Sequence, residues 1–313
     1  MTRPARVAVI GASGTIGFAT SRSLLERGDE LVAIARARTP ENAARLDQLA
    51  ATGATVRYVA DLADVDAMTV ALRDSDAVIV AMRASARIIP ALEPAILAAA
   101  RAAGVARFVP DDFGTHSMAT PYGVSAHFDA KKRFQEELEA SGIAWTVIYP
   151  GGIAEYFLPN LRPPAIVYRW GDTRLPLALH TLADIGAVTA RAVSDERTID
   201  RAVQLHANLL STEDMIAALT RAWPGHAYDV DTLTSEQLEY LHLHGDSDPG
   251  VERLSEREIM GISYANYVLG KLAVPDHAGT LSATALYPDH RYTDPLELLS
   301  DPAFVFGDSA PAR

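Results

Sequence analysis

The sequence predicts an α/β fold built on a doubly wound parallel sheet, with a smaller C-terminal region beside it. Two observations carry this expectation. Short unbroken apolar runs alternate with amphipathic stretches through the first 150 residues, and the first run leads directly into a glycine-rich turn. Strands that are apolar at every position are buried on both faces, which requires helices on both sides of a parallel sheet. Right-handed crossovers then wind such a sheet doubly.

Val7–Ile10 is the first strand, and the stretch from Phe18 to Glu26 is the first helix. Glu30–Ala35 is the second strand, followed by a helix over Glu41–Ala51. Thr55–Val59 and Val65–Leu72 repeat the pattern, as do Ala77–Ala81 and Leu92–Ala103. Arg107–Val109 is the fifth strand, Phe128–Ala140 the fifth helix and Trp145–Tyr149 the sixth strand. This unit is assigned to residues 1–150. A second region, 151–301, is less regular and partly interleaved with the sheet; 302–313 reads as a loose tail. Within the second region Ile185–Val193 reads as helix and Ala202–His206 as strand. Ser211–Ala222 is a helix with Ser211 and Asp214 spaced close to a capping box. His242–Glu256 reads as a polar loop and Met260–Gly270 as an apolar helix.

Composition narrows the function. The chain has 313 residues, 49% of them hydrophobic, and a net charge of −12. An acidic surface argues against nucleic acid or anionic membrane as a main partner. The absence of cysteine rules out disulfides, Cys–zinc sites and a thiol nucleophile, and fits a reducing compartment. The first apolar run is too short for a signal-peptide core, and no run approaches the ~20 residues that span a bilayer. A soluble, cytoplasmic protein is expected, and a homo-oligomer is left open.

Gly11-Ala12-Ser13-Gly14-Thr15-Ile16-Gly17 lies between the first strand and the first helix. Gly11 allows the tight turn, Gly14 the approach of a pyrophosphate, and Gly17 close packing of helix on strand. The helix start adds free amides and the positive end of its dipole. In this setting Gly11, Ser13, Gly14, Thr15, Ile16 and Gly17 form a dinucleotide-binding loop on a Rossmann-type fold. Its partner at the tip of the second strand is Arg36, where an NAD site would carry an acidic residue. A guanidinium there selects the 2′-phosphate of NADP(H). Arg38 and Thr39 are candidate helpers, Arg38 standing equally well as a solvent-facing arginine. Asp61-Leu62 lies near the expected adenine or simply ends the third strand.

Acid–base chemistry belongs beyond the carboxyl end of the fifth strand. There the sequence reads Arg107-Phe-Val-Pro-Asp-Asp-Phe-Gly114, then Phe128-Asp-Ala-Lys131-Lys132. Lys131 is expected in the first turn of its helix, where the dipole and burial would lower its pKa toward neutrality. Such a lysine serves as general acid or base; the alternative is a solvated basic turn. The one Tyr-x-x-x-Lys match, Tyr267 to Lys271, lies far from the sheet and is read as chance. The nine histidines show no metal spacing, and the pair His242 and His244 is the weak exception. No metal is expected.

The glycine loop, the block Arg107–Gly114 and Phe128-x-x-Lys131 resemble the isoflavone reductase-like, or NmrA-like, atypical short-chain dehydrogenases. Gly142-Ile-Ala-Trp-Thr146 leading to Tyr156-Phe157, Ala183-Asp-Ile-Gly186 and Ala285-Leu-Tyr-Pro-Asp-His-Arg-Tyr292 extend the resemblance over nearly the whole chain. That family includes phenylcoumaran benzylic ether and pinoresinol–lariciresinol reductases. The resemblance implies NADPH-dependent reduction of a small aromatic or phenolic substrate (ketone, enone or benzylic ether). It also implies Lys131 as the catalytic lysine and a C-terminal substrate region against the Rossmann unit. Three departures stand out. The family's Pro-Ser-Glu-Phe-Gly is Pro110-Asp111-Asp112-Phe113-Gly114 here. Met82-Arg83 replaces a small, Gly-containing stretch, and Ile153 and Glu155 replace residues before Tyr156-Phe157. Substrate-contact candidates are Phe113, His116, Tyr122, His127, Tyr156 and Phe157. The alternative function is a non-catalytic NADP(H) sensor acting through a protein partner.

Overall fold

Strands form where the apolar runs lie, because every side chain of the central strands finds cover. In the computed structural model, which describes residues 5–247, 254–274 and 276–307, Val7–Ile10 are fully buried. The first half runs β1 (Arg6–Ile10), α1 (Thr15–Glu26), β2 (Glu30–Ala35), α2 (Pro40–Ala51), β3 (Thr55–Tyr58), α3 (Val65–Leu72), β4 (Ala77–Val80), α4 (Ile89–Ala102), β5 (Arg107–Val109), α5 (Ala126–Ala140) and β6 (Ala144–Tyr149). The second half runs β7 (Gly152–Ile153), α6 (Ala154–Phe157), β8 (Ile166–Trp170), β9 (Leu177–His180), α7 (Leu182–Ala192), β10 (Arg201–Gln204), β11 (Leu209–Leu210), α8 (Thr212–Ala222), β12 (Asp229–Leu233), α9 (Ser235–His244), α10 (Glu256–Tyr267), β13 (Thr280–Ser282), α11 (Ala283–Leu286) and α12 (Pro302–Val305).

Eight strands form one sheet in the order β13-β10-β6-β5-β4-β1-β2-β3. All neighbours in it are parallel, with Ile10 of β1 beside Ile34 and Val80. The doubly wound sheet expected from the sequence is present, and it takes β10 and β13 from beyond residue 150. Alternate side chains go to opposite faces. Val7, Val9 and Ile79 join Ile185 and Val188 in one cluster, while Ala8, Ile10 and Val78 join Ile96 and Phe134 in the other. A third cluster lies outside the large sheet. It gathers Leu158, Leu177, Met215, Leu219 and Phe306 around the small sheet β11-β9-β7. The parallel pair β8–β12 stands next to it in the chain's second half.

Two distant motifs are joined at the start of α7. Asp184 Oδ2 accepts from Thr181 Oγ1 at 2.6 Å and from the Thr293 amide at 3.1 Å, while Oδ1 pairs with His290 Nε2 at 2.9 Å. Glu155 accepts from the Leu182 amide at 3.0 Å, so its carboxylate serves the α7 N-terminus. Gly186 lets α7 lie flush on α1: a Cβ there would stand 2.7 Å from the Ala19 carbonyl.

The structure corrects three expectations about elements. Residues 242–244 are not loop but the end of α9, started by a capping box in which Thr234 accepts from Gln237. Only Leu238 of α9 is buried, so its apolar stripe is too thin to read. Of the rest of the expected loop, 248–253 lie outside the described residues. The apolar helix expected over Met260–Gly270 is α10, shifted to Glu256–Tyr267; Gly270, at φ +65, is already left-handed. The tail from Pro302 is not loose through Phe306. Asp301 caps α12, the Val305 carbonyl accepts from the Leu161 amide at 2.8 Å, and Val305 and Phe306 are buried in the third cluster. Residues 308–313 lie outside the described residues. Among the described residues no helix is long and apolar enough to cross a membrane.

The α1–α7 contact gives a test. Gly186→Ala forces two helix backbones apart and is expected to cost about 1–3 kcal/mol. Urea unfolding measures it, and an unchanged midpoint would show that the contact is not tight.

Candidate functional site

The glycine loop is shaped by backbone contacts that leave no room for side chains. A Cβ on Gly11 would stand 2.2 Å from the Ala81 carbonyl oxygen, and one on Gly17 2.1 Å from that of Gly11. Gly11, at φ +81, turns the chain, and its carbonyl accepts from the Gly14 amide at 2.8 Å. Gly14 is the N-cap of α1 and has no side chain to accept from the first amides of the helix. The loop is therefore a concave row of backbone with the α1 dipole behind it, which fits a pyrophosphate.

Arg36 stands exposed at the end of β2. Its expected helpers are otherwise engaged. Arg38 forms a two-pronged pair with Asp47 at 2.6 and 2.7 Å. Thr39 starts α2, its amide donating to Asn42 Oδ1 at 2.8 Å. Both residues turn to α2 because a helix start and an acidic neighbour lie within reach. A cation that reaches the loop is Arg45, which sequence reading missed. From α2 its guanidinium lies over the Phe18 ring and donates to the Ser13 carbonyl at 3.0 Å. Nothing in its spacing marks it. Asp61 accepts from the Ala63 amide at 2.9 Å in a turn, and Leu62 is core.

Beyond β5 the chain buries three carboxyl groups around one ammonium. Asp111, Asp112 and Glu93 are 7%, 3% and 1% exposed, and Lys131 is 9% exposed. Lys131 Nζ lies 3.6 Å from Asp112 Oδ1. Asp112 Oδ2 accepts from Ser117 Oγ at 2.6 Å; Ser117 Oγ is 3.2 Å from the Tyr149 hydroxyl, which donates to Gln135 at 2.7 Å. Glu93, from α4, accepts from the Asp111 amide at 3.3 Å. Burial pushes the Asp111 carboxyl up to about 6, Lys131 opposing the shift and Asp112 adding to it. Burial and then the Asp111 charge push Glu93 well above the usual carboxylate range.

This corrects two expectations for Lys131. It falls at the sixth residue of α5, outside the first turn, so the dipole acts on it weakly. Burial does lower its pKa, but Asp111, Asp112 and Glu93 together outweigh burial and hold the ammonium above its ordinary value. Lys131 is thus charged at neutral pH. Lys132 is taken up elsewhere: its Nζ donates to the Thr120 carbonyl at 2.7 Å and sits 3.6 Å from the Tyr122 ring centre.

The substrate-contact candidates divide. His127, one turn before Lys131, stays beside it; its buried Nδ1 has no hydrogen-bond partner, and burial and then Lys131 hold the ring neutral. His116 is not in a solvated loop. It is 1% exposed, stacked on Tyr149 at 3.9 Å, with Nε2 3.0 Å from Thr280 and Nδ1 accepting from Ala119. Burial drives its pKa down to about 3. Tyr122 is 52% exposed and donates to Glu136 at 2.7 Å on the outer side of α5. Phe113 belongs to the core cluster of Val109 and Ile153. Tyr156 reaches the phosphate loop, its hydroxyl donating to Thr15 Oγ1 at 2.7 Å. With Phe157, Tyr168, Trp170, Met215 and Tyr267 it lines a cavity of about 230 Å³. A second hollow of about 410 Å³ lies between the α5 start and Arg257 and Glu258.

Adjacent strands bring the loop and the lysine to one end of the sheet. A Cβ on Gly11 would meet Ala81 and Met82, just beyond β4; β4 pairs with β5, which leads into Asp111 and Asp112; and Asp112 lies 3.6 Å from Lys131 Nζ. Glu93 was legible in principle. It sits at the i+4 position between Ile89 and Leu97, a charge on the apolar stripe of α4. Tyr267 ends α10 and Lys271 begins a separate 3₁₀ turn, so the two share no helix face. His242 stacks on Tyr264. Among the described residues no group of three or more His, Asp or Glu is placed to hold a metal ion.

The sequence profile of the NmrA-like family matches residues 4–297. Phenylcoumaran benzylic ether reductase Pyrc5 of Pyrus communis is 32% identical over 225 residues, which are 66% of this chain and 68% of that protein. Isoflavone reductase of Cicer arietinum is 26% identical over 323 residues, covering 94% and 97%. The solved complex of leucoanthocyanidin reductase with NADPH from Vitis vinifera superposes with a TM-score of 0.81 at 22% identity, covering 96% and 99%. That likeness establishes the fold.

The charge balance around Lys131 gives a second test. Glu93 holds its proton when folded and releases it when unfolded, so its contribution becomes less favourable as pH rises past about 4.3, the unfolded value. Glu93→Gln keeps the amide acceptor and cannot ionise. It is expected to gain stability over the parent at pH 7.5 and to lose that advantage near pH 4, by urea unfolding at both. An equal effect at both would refute the assignment.

Proposed function

The chain belongs to the NmrA-like family, and from that premise we propose that it is an NADPH-dependent oxidoreductase of the atypical short-chain dehydrogenase type, reducing a small aromatic or phenolic substrate. One observation supports this reading: the glycine loop and the buried Lys131–Asp112 pair lie at the carboxyl ends of the adjacent strands β1, β4 and β5, where ligands of such sheets bind.

The backbone of Gly11, Ser13, Gly14, Thr15, Ile16 and Gly17 would hold the pyrophosphate, with Arg36 on the 2′-phosphate and Arg45 as a second cation near the loop. Bound there, the dinucleotide supplies a hydride. The protein's own task is proton management. Lys131 is an ammonium at neutral pH, so it acts as a general acid toward an oxygen that gains negative charge. Its nearest carboxylate, Asp112, is held by Ser117 and keeps the ammonium in place. The neutral His127 ring offers a second polar contact beside it. The Tyr156 and Phe157 cavity, about 230 Å³ and rich in aromatic rings, suits one aromatic ring system, and Tyr156 of its lining bonds Thr15. The region built on the two small sheets would then supply the substrate wall. Relatives named for benzylic ether and isoflavone reduction support the substrate class.

Three measurements test this. NADPH consumption is followed against a panel of aromatic ketones, enones and benzylic ethers. Lys131→Ala is expected to cut turnover by ~10²-fold or more while leaving NADPH affinity within a few-fold. Near-normal turnover would remove the lysine from the chemistry. Arg36→Ala is expected to narrow the preference for NADPH over NADH by about tenfold, the loss of one charge-assisted phosphate contact. Tight cofactor binding with no consumption across the panel would favour a sensor.

A further inference from the structure

Asp112 and Lys131 face each other across a gap. Lys131 Nζ stands 3.6 Å from Asp112 Oδ1, and that buried oxygen has no hydrogen-bond partner. A free ammonium–carboxylate pair closes to about 2.7–2.9 Å. Both residues are buried, so little water competes for either. A third group therefore holds them apart.

The restraint acts on the other carboxylate oxygen. Ser117 Oγ donates to Asp112 Oδ2 at 2.6 Å. Its second neighbour is the Tyr149 hydroxyl, at 3.2 Å. That hydroxyl gives its proton to Gln135 Oε1 at 2.7 Å, and Gln135 Nε2 donates to Glu139 at 2.9 Å, which fixes the amide the same way round. The Ser117 proton is left to the carboxylate. Ser117 is also unable to follow Asp112 toward the lysine, because its 3₁₀ turn, Ser117–Ala119, is pinned on both sides. Before it, Thr115 donates to Asn266 of α10 at 2.7 Å, and His116 stacks on Tyr149 with Nε2 3.0 Å from Thr280 of β13. After it, the Thr120 carbonyl accepts from Lys132 at 2.7 Å. Thr115, His116, Ser117 and Thr120 are all buried.

We propose that Ser117 is a positioning residue: anchored through its turn to α10, β13 and α5, it holds Asp112 back from Lys131 and leaves the ammonium N–H bonds free for a substrate oxygen. The inference rests on the proposed reductase function and deepens it. A carboxylate that closed on Nζ would take one of its three protons into a charge-assisted hydrogen bond and make Lys131 a poorer general acid. Held at 3.6 Å, Asp112 keeps its electrostatic hold on the ammonium without engaging a proton. The anchors also link the second half of the chain to the lysine, since Asn266 adjoins Tyr267 of the aromatic cavity.

Ser117→Ala removes the hydroxyl and tests this in two ways. In crystal structures of parent and variant, the distance from Lys131 Nζ to the nearer Asp112 oxygen is expected to fall from 3.6 Å to about 2.8 Å. With an aromatic ketone that the parent reduces, kcat is expected to fall about tenfold, while KM and the NADPH Kd stay within about twofold. In a Lys131→Ala background, Ser117→Ala is expected to change kcat by less than about twofold, because the residue acts through the lysine. If the alanine variant does not fold, Ser117→Cys serves; its S–H is a weak donor and the same shortening is expected. A pair already closed in the parent, a distance unchanged in the variant, or an equal loss of kcat without Lys131 overturns the inference and leaves the reductase reading intact. Near-normal turnover in Lys131→Ala alone overturns the acid reading and this inference with it. The distance needs no substrate, so it separates failure of the restraint from failure of the reductase reading.

Discussion

Bare backbone lying on bare backbone sets this structure. Gly11 presses against the Ala81 carbonyl, Gly17 against the carbonyl of Gly11, and Gly186 against Ala19. Those contacts place β4, the phosphate loop, α1 and α7 at distances that no side chain permits. The loop becomes a smooth cradle because nothing projects from it. The α1–α7 contact also ties the second half of the chain to the first, since α7 begins after the small-sheet strand β9. Asp184, at its start, gathers Thr181, His290 and Thr293. A residue near 290 is thereby fixed relative to the glycine loop near 11.

The second organising force is charge in a dry space. Two adjacent lysines on one helix have different fates because their surroundings differ. Lys132, 2% exposed, spends its charge on the Thr120 carbonyl, the Tyr122 ring and an ion pair with Asp129. Lys131 pairs with Asp112 in a cluster where the carboxyl groups outnumber it. Burial alone would lower its pKa. The carboxylates reverse that result, since opposite charges a few ångströms away in low dielectric outweigh the cost of desolvation. The acidic residues in the block after β5 therefore set the charge of Lys131 and do not only pack. Glu155, the other acidic departure, is absorbed by a helix start and leaves the site's charge untouched.

A few polar contacts tie the aromatic cavity to the loops at the end of the sheet. Thr115, in the loop after β5, donates to Asn266 at 2.7 Å, and the adjacent Tyr267 lines the cavity. Tyr156, also in the lining, bonds Thr15. The second half of the chain thus leans over the cofactor loop through a few polar contacts between well-packed units.

The strand and helix order, the glycine loop and the cation after β2 were legible in the sequence. Each is a local rule: unbroken apolar runs make buried strands, and glycine at a strand–helix turn permits close approach. The lysine was legible from its motif context, although its ionisation was not. Arg45, Glu93 and the burial of His116 became visible only in three dimensions, as did α9 and the packed end of the chain. Their roles arise from groups 18 to 164 positions apart in the chain, as in Asp111 with Glu93 and His116 with Thr280. Protonation depends on the sum of such neighbours and on the exclusion of water. Local pattern specifies neither, so the sequence determined where Lys131 stands and the tertiary structure decided the charge it carries.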